Sequence, residues 1–188
     1  LKRELGIYHE YLAELRLEKK EYDQAYRHIL LSIQIGEEIA PQGSLVCQSY
    51  RILAQLQLAT QRLNLAENSC QKSWELSRFL NERAEEGIIY RTLGQIYTQK
   101  NNKKQAKENF LLSISCLEKI GCRYELARTY LSAAEAMIFD SKEAQEYLEK
   151  AKSLFKELFP VGSLGFAYYM GLTQFSEASV HFEVGDYD

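Results

Sequence analysis

The residues with the clearest chemical potential in this chain are two arginine–glutamine pairs with identical spacing. Arg51 and Gln55 frame the pattern R-x-L-[A/G]-Q, and Arg91 and Gln95 frame it a second time further along the chain. A guanidinium group binds a carboxylate or a phosphate through two parallel hydrogen bonds, and a glutamine amide can pair with the main chain of an extended peptide. The repeated pattern therefore indicates binding chemistry.

No arrangement typical of catalysis or metal binding accompanies these pairs. The sequence has no Gly-rich phosphate loop, no G-x-S-x-G and no H-E-x-x-H, so we expect no enzymatic activity. Its 4 cysteines lack C-x-x-C spacing and its 3 histidines are scattered, so neither a metal site nor a cofactor is expected. Cys70 and Cys116 fall on apolar helix faces, where free thiols are typical of a reducing compartment, and we therefore expect a cytoplasmic protein.

The composition is that of an ordered chain with mixed charges. Of 188 residues, 46% are hydrophobic and only 2 are proline, and the net charge is -3. Because no basic tract stands out, direct binding to nucleic acid is not expected. No apolar run approaches the roughly 18 residues of a membrane span, so no membrane association is expected. The chain begins at Leu1 without Met, which indicates a fragment of a longer protein.

Three columns of small residues recur at a regular interval and predict the elements that hold the arginine–glutamine pairs. The second column follows the first by 12 positions and precedes the third by seven. A small side chain lets a neighbouring helix approach closely, so the columns predict tandem units that stack one on another. The columns are Ala13, Ala54, Gly94 and Ser132; Ala25, Ala66, Ala106 and Ala144; and Ser32, Ser73, Ser113 and Ala151.

Apolar residues at i, i+3 and i+4 predict helices throughout, and no stretch alternates as a strand would. Asp140 followed by Glu143 predicts a capped helix start, and Gly121 suits a helix C-terminus. Short polar breaks force neighbouring helices to run antiparallel, so each unit is predicted to be a helical hairpin. The predicted helices are 3–18, 22–40, 44–60, 63–80, 83–100, 103–119, 122–138, 141–158 and 162–184.

The third unit carries the residues that resemble a known family. Tyr90-x2-Leu93-Gly94-x2-Tyr97, followed by Ala106-x3-Phe110, is similar to the tetratricopeptide signature W-x2-L-G-x2-Y and A-x3-F, with Tyr in place of Trp. The units here are about 40 residues long, whereas the usual unit of the family has about 34 residues. The resemblance implies one all-α domain over 1–188, a right-handed superhelical solenoid of antiparallel helix hairpins. Its units are 3–41, 42–81, 82–121, 122–160 and the half unit 161–188.

In this family the first helix of each hairpin lines the concave face, and the motif assigns the positions that point into it. Adjacent first helices would align equivalent side chains about 10 Å apart. The alternative is that Arg51 pairs with Glu10 or Glu14 and that the face shows only solvated polar residues. The assigned positions are Glu10, Glu14, Glu18, Arg51, Gln55, Ala59, Arg91, Gln95, Gln99, Thr129, Ala133 and Met137, of which Glu10, Glu14, Arg51, Gln55, Arg91, Gln95 and Gln99 are the expected partner contacts.

We therefore expect a protein–protein interaction module that binds a peptide or helix of a partner on its concave face. If Arg51 and Arg91 grip an acidic partner, reversing both charges should abolish binding and leave the stability nearly unchanged. One alternative is a ligand- or partner-sensing regulatory domain of a larger bacterial signalling or transcription regulator. Another is a spacer that self-associates through its last helix, whose uncovered side is expected to expose apolar surface.

Overall fold

The computed structural model describes residues 1–136 and 141–184, with side chains described as far as Ala178. Within these ranges the chain forms helices and no strand, which confirms the predicted all-α class, and the predicted helix ends agree to within a few residues. Asp140 and Met137 lie outside the described residues. The helices are α1 (Lys2–Glu18), α2 (Tyr22–Ile39), α3 (Ser44–Ala59), α4 (Leu63–Leu80), α5 (Arg83–Gln99), α6 (Lys103–Ile120), α7 (Arg123–Glu135), α8 (Ser141–Leu158) and α9 (Leu164–Val184).

Consecutive helices pair as hairpins, and the hairpins stack in chain order. The first helices of the four pairs (α1, α3, α5 and α7) and the unpaired α9 are here called A helices. Each of the first four packs on its own partner and on the next A helix. In the described part of the chain, the second helices, or B helices (α2, α4, α6 and α8), contact only the A helices on either side. Contacts limited to neighbouring units define a helical-repeat solenoid, and the touching A helices form one continuous wall.

Single residues in the left-handed region turn the chain between successive helices. Lys20, Gln61 and Asn101 lie between A and B helices, and Asn81 and Gly121 lie between B and A helices, all with φ from 57° to 68°. The predicted helix end at Gly121 is thereby confirmed. Because such a residue stops a helix within one position, the connections stay short and the paired helices remain in register.

The third column of small residues fixes the position of each B helix along its A helix. In the first three hairpins a buried serine hydroxyl donates to the carbonyl oxygen of the residue 26 positions earlier. A repeated side-chain to backbone hydrogen bond of this kind resists sliding of one helix past the other. The bonds join Ser32 to Gly6 (2.9 Å), Ser73 to Cys47 (2.7 Å) and Ser113 to Gly87 (2.7 Å).

All members of the first two columns except Ser132 are buried where A and B helices cross. The ring of Phe110 lies 2.9 Å from the position that a Cβ on Gly94 would take, so only glycine allows this approach. The alanines are equally enclosed and have exposed fractions of at most 3%: Ala13, Ala25, Ala54, Ala66, Ala106 and Ala144.

The fourth hairpin departs from the predicted register by two positions. Ser132 is only half-buried, and its hydroxyl accepts a hydrogen bond from Nε2 of Gln95 at 3.1 Å. Ala134 is fully buried instead and lies in the same apolar cluster as Ala144. Because α5 begins at Arg83 and α7 at Arg123, Ala134 is the residue that aligns with Gly94, and it replaces Ser132 in the first column.

Candidate binding groove

The wall of A helices borders an open groove with a volume of about 1110 Å³. The groove runs from the C-terminal part of α1 across α3, α5 and α7 to the first half of α9, and so it uses every A helix. Its lining is mixed, with apolar side chains such as Leu15, Leu131 and Leu172 among polar and charged ones. A long amphipathic groove of this kind can accommodate a peptide segment.

Four of the seven predicted contact residues line this groove, and three do not. Glu10 and Arg51 are buried, with exposed fractions of 6% and 8%, whereas Gln99 is exposed outside the groove. The motif positions thus lie on a helix face that borders the groove, but the motif did not show which side chains reach the groove. The four lining residues are Glu14, Gln55, Arg91 and Gln95.

Arg51 is held by carboxylates from both neighbouring A helices. Its Nε donates to Oε2 of Glu85 at 2.8 Å, and its Nη1 lies 3.4 Å from Oε1 of Glu14. The same Nη1 donates to Oε1 of Gln55 at 3.3 Å. The structure therefore supports the alternative in which Arg51 pairs with Glu14, and it adds Glu85 as the closer partner.

Arg91 is engaged in the same way and is only 3% exposed. Its Nη2 lies 2.7 Å from Oε2 of Glu125, and its Nη1 donates to the backbone carbonyl oxygen of the same residue at 3.1 Å. Burial lowers the pKa of Arg91, while the carboxylate of Glu125 opposes this effect. Both arginines that the sequence offers as partner-binding groups therefore already have partners within the chain.

These ion pairs give the two arginines a structural role. In both cases the closest carboxylate belongs to the next A helix along the chain. Removing one member of a buried pair leaves a charge without compensation, which costs roughly 3–5 kcal/mol. We therefore no longer expect charge reversal of Arg51 and Arg91 to leave the stability unchanged, because both substitutions would loosen contacts between hairpins.

Glu10 is a buried carboxyl beside the Arg51 network. Burial raises the pKa of Glu10 to about 7, and the nearby carboxylates of Glu14 and Glu85 raise it further while Arg51 lowers it. At neutral pH this carboxyl is therefore close to half protonated. It contributes to the interior of the wall and not to the groove surface.

The two glutamines place amide groups in the middle of the groove. Gln55 accepts from Arg51 through Oε1, and Gln95 donates through Nε2 to Ser132. Among the described residues, nothing binds the remaining amide atoms, Nε2 of Gln55 and Oε1 of Gln95. One donor and one acceptor are thus available on adjacent A helices, as main-chain recognition requires.

Aromatic side chains form the wall at the α9 end of the groove. Tyr124 of α7 and Tyr169 of α9 share a hydrogen bond between their hydroxyl groups, and Phe159 and Tyr168 line the groove beside them. The guanidinium of Arg128 lies 5.6 Å from the ring centre of Tyr124, within the range of a cation–π contact.

Aromatic residues near the C-terminus both pack between α8 and α9 and line the groove. Phe155 is fully buried and stacks on Tyr169 with ring centres 4.2 Å apart. Tyr168 and Tyr169 face the groove. No periodic signal links them to Tyr124, because their meeting depends on how α9 packs across α7.

The described residues contain no cluster of three or more His, Cys, Asp or Glu side chains suited to a metal ion. None of the helices in the described part of the chain has the length and apolarity that a membrane crossing requires. Cys47 and Cys70 are buried free thiols. Burial raises the pKa of Cys47 to about 12 and raises that of Cys70 as well, so neither is a thiolate at neutral pH.

No family model matches the sequence, and no curated protein matches it. Among solved structures, the chain is similar to the crystal structure of BtubC (BKLC) from P. vanneervenii, with a TM-score of 0.74 and 18% sequence identity. The match covers 98% of this chain and 75% of that one. At this level of identity the likeness shows the helical fold alone.

Proposed function

We propose that this chain is a protein–protein interaction module that binds a peptide or helix of a partner along the groove of its A helices. The observation that carries the proposal is the open groove of about 1110 Å³ that crosses all the A helices of the described chain. Stacked repeats produce extended surfaces of this kind, which can bind a segment along its length.

The chemistry of the two groove ends favours a segment with a basic residue at one end and an apolar residue at the other. Glu14, Glu18 and Lys19 line the α1 end, and Glu14 is already paired with Arg51, so the preference for a basic residue there comes from Glu18. Glu18 has no ion-pair partner among the described residues. Tyr168 and Tyr169 at the other end offer aromatic surface. Arg51 and Arg91 are already paired, so we do not propose an acidic partner.

The glutamines supply recognition between these ends. Nε2 of Gln55 can donate to a main-chain carbonyl of the bound segment, and Oε1 of Gln95 can accept from a main-chain N–H. Contacts of this type hold a peptide without depending on its side chains, so specificity would come from the charged and aromatic ends.

We prefer the interaction role to the regulatory one because the groove belongs to the described residues, whereas regulation would depend on an output domain elsewhere. The tetratricopeptide assignment remains part of this proposal, supported by the signature around Leu93 and Gly94. We also propose a cytoplasmic location, which the buried free thiols of Cys47 and Cys70 support.

The test is a matched pair of tryptophan substitutions. Ala59 is exposed and lines the groove, so Ala59→Trp fills it without disturbing the core, whereas Lys104 is exposed on α6, away from it. Peptides selected from a random display library on the parent chain should bind Ala59→Trp at least about tenfold more weakly and Lys104→Trp unchanged. Equal binding to both variants, or no selected peptide at all, would contradict the proposal.

A further inference from the structure

Arg128 of α7 is a third arginine that lines the groove, and its charge is only weakly compensated. Its side chain is 37% exposed, whereas Arg51 and Arg91 are buried. Its Nη1 lies 3.5 Å from Oε1 of Glu125, longer than the usual hydrogen-bond length of about 3 Å. The ion pairs of Arg51 and Arg91 are 2.8 and 2.7 Å long. Arg128 therefore keeps a positive charge that faces the groove.

Glu125 cannot neutralise Arg128, because its carboxylate is shared with Arg91. Oε2 of Glu125 lies 2.7 Å from Nη2 of Arg91, and only Oε1 is close to Arg128. Two guanidinium groups thus share one carboxylate, which leaves one positive charge in excess. Glu135 lies two turns further along α7 and accepts a hydrogen bond from Ser176 of α9 at 2.7 Å. Within the described part of the chain, Glu135 forms no ion pair with Arg128.

Hydrogen-bond donors on this face of α7 are unused within the described chain. Arg128 contacts the ring of Tyr124, but its Nε and Nη2 have no acceptor among the described residues. Ser132 lies one helical turn from Arg128 and also lines the groove. The oxygen of its hydroxyl accepts from Gln95, while its O–H has no acceptor in the same set of residues. Arg128 and Ser132 therefore present free donors on one helix face.

The charge and the donors fit a carboxylate. A carboxylate can accept two parallel hydrogen bonds from one guanidinium group, and a hydroxyl can donate a third. Its single negative charge matches the single excess charge at Arg128. A phosphate group carries almost two negative charges at neutral pH, so it would remain partly uncompensated here.

Apolar side chains surround these donors at the α9 end of the groove. Phe159, Leu164, Tyr168 and Leu172 line this end, and Tyr168 is 62% exposed. They offer a surface for the apolar residue that we propose at this end of the bound segment. A carboxylate that reaches Arg128 would therefore lie next to that apolar residue.

We propose that Arg128 and Ser132 bind one carboxylate of the segment in the groove, from an Asp or Glu side chain or from a C-terminus, beside an apolar residue. The site lies inside the groove and so depends on the proposed function. It sets the direction of the segment, with its basic residue at Glu18 and its carboxylate at Arg128. Only one carboxylate is matched, so the segment as a whole is not acidic.

The probe is the tightest-binding peptide from the display selection on the parent chain, synthesised unchanged and with each carboxyl group in turn replaced by an amide. One of these replacements should weaken binding to the parent at least about tenfold in anisotropy titrations. The same replacement should change binding to Arg128→Gln less than about twofold, because its cation is already absent. Arg27→Gln removes the same charge from the exposed side of α2, outside the groove, and should behave like the parent.

Amidation of the C-terminus and substitution of Asp or Glu separate the two sources of the carboxylate. If no replacement weakens binding, the segment brings no carboxylate to the groove and the site is rejected. An equal loss in the parent and in Arg128→Gln would also reject it, because the carboxylate would then bind elsewhere. Peptides that Ala59→Trp excludes but that ignore Arg128→Gln would reject this site and keep the groove. Failure to select any peptide would reject both.

Discussion

Adding one methyl group at two helical glycines should change the stability in opposite directions. At Gly171 a Cβ meets nothing within 4 Å, so Gly171→Ala gains helix propensity alone, about 1 kcal/mol. At Gly87 a Cβ would lie 2.5 Å from Cγ and 2.6 Å from Cδ2 of Leu117, which is fully buried. Overpacking costs roughly 1–3 kcal/mol of stability. Because alanine also gains about 1 kcal/mol of helix propensity, we expect Gly87→Ala to lose up to about 2 kcal/mol of stability in total.

Thermal and urea denaturation followed by circular dichroism measure this difference. For a chain of this size, about 1 kcal/mol moves the midpoint by roughly 2–4 °C. Gly171→Ala should therefore melt a few degrees above the parent and Gly87→Ala below it. The double variant serves as a control, because distant sites should add.

The sign of the stability difference between Gly87→Ala and Gly171→Ala tests whether small residues allow the hairpins to pack closely. If Gly87→Ala is as stable as Gly171→Ala, Leu117 does not pack onto α5 as closely as the structure shows. The small columns would then not be the reason that the hairpins nest, and the account of the solenoid would fail.

Two charged positions yield further predictions. The pKa of Glu10 is raised from 4.5 to about 7, so the folded state binds the extra proton and stability is lost as pH rises through 7. Glu10→Gln removes this loss. In urea titrations its free energy of unfolding should equal that of the parent near pH 5 and exceed it by about 2–3 kcal/mol at pH 8. An equal difference at both pH values would disprove the assignment. Glu18→Lys at the α1 end should weaken the binding of basic peptides to the groove several-fold in anisotropy titrations. The control Glu108→Lys, on the exposed side of α6, should leave their affinity unchanged. Equal effects of the two variants would show that only net charge matters.

Much of the fold could be predicted because its signals are local. A helix requires apolar residues at a fixed short period, and a hairpin contact requires small residues where the axes cross. Both are visible around Ala54 and Ala106 without knowledge of any neighbour. The left-handed turns at Lys20 and Gln61 could not be predicted in this way, because neither residue type favours positive φ and the requirement comes from reversing the chain.

The groove was only partly predictable. The motif placed Gln55 and Gln95 on the face that borders the groove, but it could not show that Glu85 and Glu125 neutralise the arginines beside them. Which acidic residue meets an arginine on the next helix depends on the rotation and axial shift between two A helices. The chain has 26 acidic residues, and spacing alone does not select among them.

The sequence by itself therefore determined the helices, their pairing and the face that borders the groove. Tertiary structure alone decided that Arg51 and Arg91 serve the wall, that Ala134 takes the place expected for Ser132, and that Tyr124 meets Tyr169. The reason is that helical period and side-chain size act between residues close in the chain. Burial and ion pairing act between residues that become neighbours only after the hairpins have stacked.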